Sequence, residues 1–450
     1  MKSLFPTVLL IVLLFAGSVK YSYSAPVKHD DTVSFPAPWT SAFHVDPVYK
    51  FQFVNAEGTH LFLVNKTAWA YFECEYPGAV LRKARQEGVN VIRVCLEGTP
   101  YQDHLHLDMW PWGGTRDNPK WNSFNSGYWD NIEKRIRLAG EYGIGIDLVL
   151  YFNLEPGVKD VPDQKPYWDY AIGRLSKYSN LFGWEIMNEE SGNEAFQDCA
   201  GTYFRKNDPF SHLVFSSDGT TEDALWPRKP WMDVAIVHTC TGNQPQYDLK
   251  YWYLDIARNT RQYGKPAFNN ESGRERRHKN DDPVFRRKQS WLWTTAGAFW
   301  TWHSWEGCEG INDTAYFGPG WQFLKPVSRF YNSLPYWELA PNYTVCVNRG
   351  EDLIHSTLST PDRSFTVMYC CTRETGATVT DQSAVVRIRD GNYSVNFISP
   401  VNLEVIDSTM IVSTGLRQTY KLALPGFTDD MLVLITNTVK KKKSIIKGSR

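Results

Sequence analysis

Between Phe51 and Trp302 the chain alternates short runs of apolar, β-branched or aromatic residues with longer stretches whose apolar positions recur every three or four residues. The runs are Leu61 to Asn65, Val89 to Val94, Gly145 to Tyr151, Gly183 to Asn188, Leu213 to Ser217, Asp233 to His238, Pro266 to Asn270 and Ala298 to Trp302. A strand pattern answered each time by a helical one builds a parallel sheet covered by helices, and eight such strands close a barrel. The helices carry their own signals. Trp129, Ile132, Ile136 and Ala139 share one helical face that stops at Gly143, and Pro166 opens a segment holding Trp168, Ile172 and Leu175. A doubly wound open sheet is the competing topology, disfavoured because no Gly-x-Gly-x-x-Gly turn follows the first strand and polar residues gather after several different strand ends.

Beyond Pro341 the period changes to two. Phe365, Val367 and Tyr369, then Val385 and Ile388, Tyr393 to Ile398, Leu403 to Ile406 and Met431 to Ile435 alternate without long helices, punctuated by turns at Asp390-Gly391-Asn392 and Pro425-Gly426. The expected organisation is an α/β chain: a leader over 1–24, a (β/α)8 TIM barrel over 25–341, a small antiparallel β-sandwich over 342–438, and a basic tail over 439–450. No low-complexity linker separates barrel from sandwich, so rigid packing is expected.

Lys2 followed by an apolar run from Leu4 to Ala16 and small residues up to Ala25 has the layout of a secretory signal, and the run is too short to span a bilayer. The chain holds 48 basic and 49 acidic residues; loss of the leader removes two lysines and no acid, leaving −3. Six further basic residues lie in the last twelve positions, so the folded body stands at −9, which argues against nucleic acid as a partner. A mean hydropathy of −0.41 excludes a polytopic membrane protein. A secreted monomer without a stable membrane span is expected. Five Asn-x-Ser/Thr sequons, at Asn65, Asn270, Asn312, Asn342 and Asn392, are compatible with a secreted glycoprotein, although two of them fall on barrel strands. Eight cysteines invite disulfides, with no connectivity readable; without Cys-x-x-Cys or His-Glu-x-x-His, neither a metal nor any other cofactor is expected. Cys370 and Cys371 are neighbours on one strand and point to opposite faces. The 66 aromatic residues (18 Trp, 24 Tyr, 24 Phe) exceed what core filling requires and suit sugar faces.

Two of the apolar runs end in carboxylates. Gly183-Trp184-Glu185-Ile186-Met187-Asn188-Glu189 places Glu189, and Lys265-Pro266-Ala267-Phe268-Asn269-Asn270-Glu271 places Glu271, at the rim where barrel enzymes keep their chemistry. Two carboxyl groups about 5 Å apart are what hydrolysis of a glycosidic bond with retention requires. In this reading Glu189 is the acid/base, its proton retained by the second carboxylate and partial burial, and Glu271 is the nucleophile, kept ionised by a cation for which Arg93 is the natural candidate. Glu306 and Glu309 are competing partners for Glu189.

At this constellation the sequence resembles the clan A glycoside hydrolases, and most closely the apiosidase-like group of secreted barrels with a C-terminal collagen-binding-type β domain. The resemblance implies that Asn188-Glu189 and Glu271 are the acid/base pair and nucleophile, that Asn188 contacts the sugar 2-hydroxyl, and that Arg93 supports the nucleophile. It also implies that His238 lies beside the reacting ring and that Trp300 or Trp302 forms a sugar platform. Ala56-Glu57-Gly58 through Leu61-Phe62-Leu63, then Thr67-Ala68-Trp69, looks like the group's opening hairpin and first strand, with Trp69 a further substrate contact. Lys66 departs from the Asp usual before Thr-Ala-Trp, and Glu190-Ser191 from the Pro usual after the acid.

The expected function is a secreted retaining glycosidase acting on an oligo- or polysaccharide. A barrel that only binds carbohydrate or matrix, and a transglycosylase using the same residues, are the alternatives. The loop from Asp103 to Asn125, with Trp110, Trp112 and Trp121, is expected to wall a subsite or act as a lid.

Overall fold

The computed structural model describes residues 39–96, 110–115, 117–152, 163–219, 222–239, 248–275, 282–304, 321–346, 353–414 and 419–438. The expected leader and basic tail, Cys240, Trp305, Glu306, Cys308, Glu309 and Asn312, and residues 103–109 of the loop expected to wall a subsite, lie outside them.

Eight parallel strands form the barrel: Val64–Thr67, Val91–Cys95, Gly145–Tyr151, Leu181–Met187, Leu213–Phe215, Ala235–His238, Ala267–Glu275 and Phe299–Ser304, called strands one to eight. Each expected run yields one strand. The first is displaced: His60–Leu61 closes an antiparallel hairpin with Phe43–Val45 and Phe53–Asn55, and strand one begins only at Val64. That hairpin stoppers the barrel floor, where the buried Phe53 meets Phe182 and Phe299 at ring distances of 5.2 and 5.1 Å.

Strands pair in the order five-four-three-two-one-eight-seven-six, leaving five and six without a ladder. Asp233 bridges this seam: its N–H donates to Val214 O and its carboxylate accepts from Val214 N, both at 2.9 Å. Among the described residues seven α-helices cover the barrel: α1 Pro77–Gln86, α2 Ser126–Glu141, α3 Lys165–Leu175, α4 Glu194–Asn207, α5 Ile256–Arg261, α6 Pro283–Thr295 and α7 Leu324–Asn332. Trp129, Ile132, Ile136 and Ala139 form the buried face of α2, and Gly143 beyond its end has φ 68°.

The C-terminal domain is built on a six-stranded antiparallel sheet, in the order Ala340–Pro341, Leu353–Ser359, Phe365–Thr372, Asp430–Asn437, Gly391–Ile398, Val405–Ser413. A ribbon of Ser383–Arg387 with Thr419–Ala423 covers one face and encloses Met368, Cys370, Val395, Phe397 and Val433. Every residue of Phe365–Thr372 is buried, because the other face lies against α6. Cys370 therefore enters the domain core while Cys371 faces the barrel side, and both are buried. Cys199, Cys370 and Cys371 are free thiols, and no disulfide joins two described cysteines, so the expected disulfides have no counterpart among the described residues. Asn65 and Asn270 are fully buried inside the barrel and closed to glycosylation in the folded chain, whereas Asn392 is exposed. No described helix is long and apolar enough to cross a membrane.

Candidate active site

Strands two, three, four and seven send charged and amide side chains into the barrel, and the arrangement is organised by one cation. Arg93 is completely buried. Its Nε and Nη2 donate to the two oxygens of Glu185 at 2.7 and 2.5 Å, Nη2 also reaches Asn188 Oδ1 at 2.7 Å and Ser217 Oγ at 3.2 Å, and Nη1 donates to Glu271 Oε2 at 3.0 Å. Each nitrogen of this fork meets an oxygen, which a buried guanidinium requires. Beneath it Trp69 presents its ring face 4.5 Å from the guanidinium carbon. Trp69, the further substrate contact expected from the sequence, is 4% exposed and gives one ring face to Arg93.

Glu271 reaches this centre because strand seven is irregular. Its register against strand six runs Val237↔Asn269, then His238↔Glu271, leaving Asn270 as an inserted residue. A bulge lets two successive side chains face the same way. Asn270 accepts from His238 Nε2 at 2.6 Å and donates to Glu185 at 3.2 Å, while Glu271 meets Arg93. His303 on strand eight brings Nδ1 within 3.1 Å of Glu271 Oε1, and His238 Nδ1 stands 3.8 Å from Oε2. Burial alone would raise the Glu271 carboxyl, but His303, His238 and Arg93 outweigh it and hold the group well below the ordinary carboxylate range.

Glu189 sits at the rim, its side chain 30% exposed, with Oε1 at 3.4 Å from His238 Nδ1. The chain turns sharply after Asn188, and Glu189 adopts a left-handed φ of 50°. Such a conformation costs a non-glycine residue about 1–3 kcal/mol and persists only where neighbours enforce it. Ser217 does so, its Oγ accepting from Glu189 N at 3.2 Å and its carbonyl from Glu190 N at 3.0 Å. One donor atom each from Glu189, His238 and Glu271 lie mutually within 4.8 Å. The three atoms are close enough to share a metal ion, although Arg93 already supplies the positive charge that such an ion would bring to Glu271.

The structure thus brings together Arg93, Asn188, Glu189, His238 and Glu271. Trp300 and Trp302 are not part of the group. They alternate with Thr301 and His303 along strand eight, and since His303 faces Glu271, both tryptophans face the helix layer, 4% and 1% exposed, with Trp302 beside Arg286 of α6. The strand-eight platform expected at either position is corrected accordingly: the inward residue there is His303. Lys66, paired in register with Trp302, shares that outward face and is no first-strand substrate contact. Sequence reasoning also passed over Glu185, Ser217 and Asn270, which hold Arg93 and His238, and Asp147. Fully buried beside Glu185, the Asp147 carboxyl is pushed well up by burial and by that like charge, against the pull of Arg93. A carboxylate in the middle of an apolar strand, as at Asp147 and Glu185, was the available signal. Trp110 and Trp112 on the loop after strand two are 2% and 1% exposed and pack on Trp121, which keeps part of its ring open.

Residues 50–307, more than half of the chain, match the family model described as apiosidase-like, catalytic domain. The chain belongs to the apiosidase-like family. Membership makes it a glycoside hydrolase on a (β/α)8 barrel, and solved structures share that fold. One glycoside hydrolase aligns at TM-score 0.67 and 16% identity over 90% of this chain and 98% of its own. A glycoside hydrolase family 5 protein from Bacteroides vulgatus ATCC 8482 aligns at TM-score 0.65 and 15% identity, over 92% and 96%. At 90% and 92% coverage both alignments reach beyond the barrel into the β domain of this apiosidase-like chain. A search of curated proteins finds no matching sequence.

Proposed function

We propose that this chain is a secreted, monomeric retaining glycosidase that cleaves O-glycosidic bonds of an oligo- or polysaccharide by double displacement. The observation that carries the reading is the proximity of Glu189 and Glu271, one oxygen from each within 4.8 Å across a site open at Glu189 and closed at Glu271. That spacing fits a nucleophile attacking directly; an interposed water would need about 6.5–9.5 Å. A Glu271 oxygen attacks the anomeric carbon, Glu189 gives its proton to the departing oxygen, and a glycosyl ester forms. Water then surrenders a proton to Glu189 as it displaces Glu271, restoring both groups.

The neighbours serve these two roles. Arg93, His238 and His303 keep Glu271 ionised. His238 Nε2 donates to Asn270 Oδ1, whose amide nitrogen is committed to Glu185, so His238 Nδ1 is left facing both carboxylates. Glu189, the exposed one of the two carboxylates, is the group that can meet the leaving oxygen. Asn188, fixed by Arg93, is positioned for the sugar 2-hydroxyl. Secretion is supported by the layout of residues 1–25 and by the exposed sequon at Asn392; a chain recovered from medium with its N-terminus near Ala25 is the expected finding.

Glu189→Gln and Glu271→Gln each lower hydrolysis of an aryl glycoside by about 10²–10⁴-fold or more, and azide restores turnover of Glu189→Ala as a glycosyl azide of retained configuration. Inverted product, or wild-type rates in either Gln variant, sinks the proposal. Both carboxylates and Arg93 being in place speaks against a barrel that only binds glycan. Transglycosylation would use the same residues, and product analysis with an added sugar acceptor separates it.

A further inference from the structure

Helix α6, which follows the strand bearing Glu271, carries Arg286, Arg287 and Lys288 in succession, exposed by only 1%, 5% and 0%. Three adjacent cations with no access to water are strongly destabilising if left unpaired. Arg286 is committed to the barrel, Arg287 and Lys288 to the β domain. Arg286 Nη1 donates to the carbonyl of Ser272 at 2.9 Å, the residue directly after Glu271. Arg287 grips Asp430 of the β domain through Nε at 2.9 Å and Nη2 at 2.6 Å, and Tyr369 donates its hydroxyl to the same carboxylate at 2.8 Å. Lys288 reaches Thr372 Oγ1 at 3.0 Å, Glu374 O at 2.8 Å and Asp429 Oδ1 at 3.2 Å, all in the β domain. The rings agree: Trp291 of α6 stacks on Tyr369 at 6.1 Å and 21°. At the helix start Asp282 caps Val284 N and also accepts from the Thr375 hydroxyl.

Around Glu271 the backbone is clamped from the remaining directions by strands six and eight, Thr239 N donating to Glu271 O and Ser272 Oγ to Thr301 O. On the side facing α6 the Ser272 carbonyl is held by Arg286 of that helix, and α6 is anchored in turn on Asp430.

We infer that the C-terminal β domain is a strut of the catalytic centre: Asp430, acting through Arg287 and α6, is a positioning residue that holds the Ser272 carbonyl and hence the Glu271 carboxylate against Arg93, His238 and His303. The domain is then no separately tethered binding module. The inference rests on Glu271 as nucleophile for its catalytic consequence and on geometry alone for its structural one.

Asp430→Asn tests it in the full chain, read by hydrolysis of an aryl glycoside across pH and by NMR titration of the His238 and His303 ring protons, which needs no turnover. Expected are a fall in kcat of about ten- to hundredfold, the range that a small misplacement remote from the chemistry produces, little change in KM, an upward move of the acid limb of kcat/KM, and shifted titration of both histidines. Tyr369→Phe, which removes one hydroxyl and no charge, moves the same readouts in the same direction by a smaller factor and carries the test if Asp430→Asn does not fold. Unaltered histidine titration and kcat in a folded variant that has only lost thermal stability overturn the strut. Absence of turnover in the wild type instead counts against the glycosidase reading, while the histidine titration still decides the strut.

Discussion

At the scale of single residues the site is a problem of distributing one positive charge among three acids. Arg93 gives its bidentate edge to Glu185 and one N–H to Glu271, so the nucleophile depends on the histidines for the remainder of its stabilisation. Replacing His303 with Gln keeps the shape and removes the titratable charge. The acid limb of kcat/KM, which Glu271 places below the usual carboxylate value, then moves upward; a limb that stays in place would show that His303 only fills space. Asp147 is the opposite case. Its folded value lies above the unfolded one, so the stability of its protonated form is complete below the unfolded value of about 3.9 and drains away as pH climbs through the folded value. Asp147→Asn, which fixes the neutral form, is expected to remove the fall in urea midpoint that the wild type shows as pH rises above about 3.9. Parallel curves for variant and wild type would mean an ionised Asp147.

At the scale of elements, irregularities carry function where regular strands carry the fold. The inserted Asn270 turns Glu271 inward, and the left-handed Glu189 turns the acid toward the rim. The strands themselves were legible as apolar runs because both faces of a barrel strand are covered. The direction of each side chain was not, since a one-residue offset reverses it: the run Ala298 to Trp302 predicts strand eight and leaves open whether Trp302 or His303 points inward. The seam between strands five and six is likewise invisible in the pattern. Asp233→Ala leaves Val214 N without its acceptor there and should cost about 1–3 kcal/mol, measured as a lower denaturation midpoint with faster amide exchange at Val214. Unchanged exchange would mean that other bonds close the barrel.

At the scale of the whole molecule, α6 joins barrel and β domain through Arg287, Lys288 and Trp291. All of Phe285 to Thr295 is buried, which for a helix carrying Arg-Arg-Lys-Gln-Ser is possible only between two partners. Unfolding is expected as one cooperative transition seen alike by near-ultraviolet circular dichroism and by Trp fluorescence. A chain ended after Asn342 would leave Arg287 and Lys288 without their carboxylate partners and expose Trp291, and is expected to be recovered insoluble. Two resolved transitions in the full chain, or a soluble active truncation, would show the domains to be independent.

The eight-strand count, the two-part organisation and the candidacy of Arg93, Glu189 and Glu271 could be read along the chain, because burial periodicity and strand-end polarity are local properties; Asn188 and His238 were singled out by the family resemblance. That Glu185 shares Arg93 with Glu271, that His303 rather than the neighbouring tryptophans faces the nucleophile, and that three buried cations join the domains emerged only once the chain was folded. Those outcomes depend on which of two faces a strand presents and on which distant carboxylate meets a charge, and pairing across the sheet and between layers sets both.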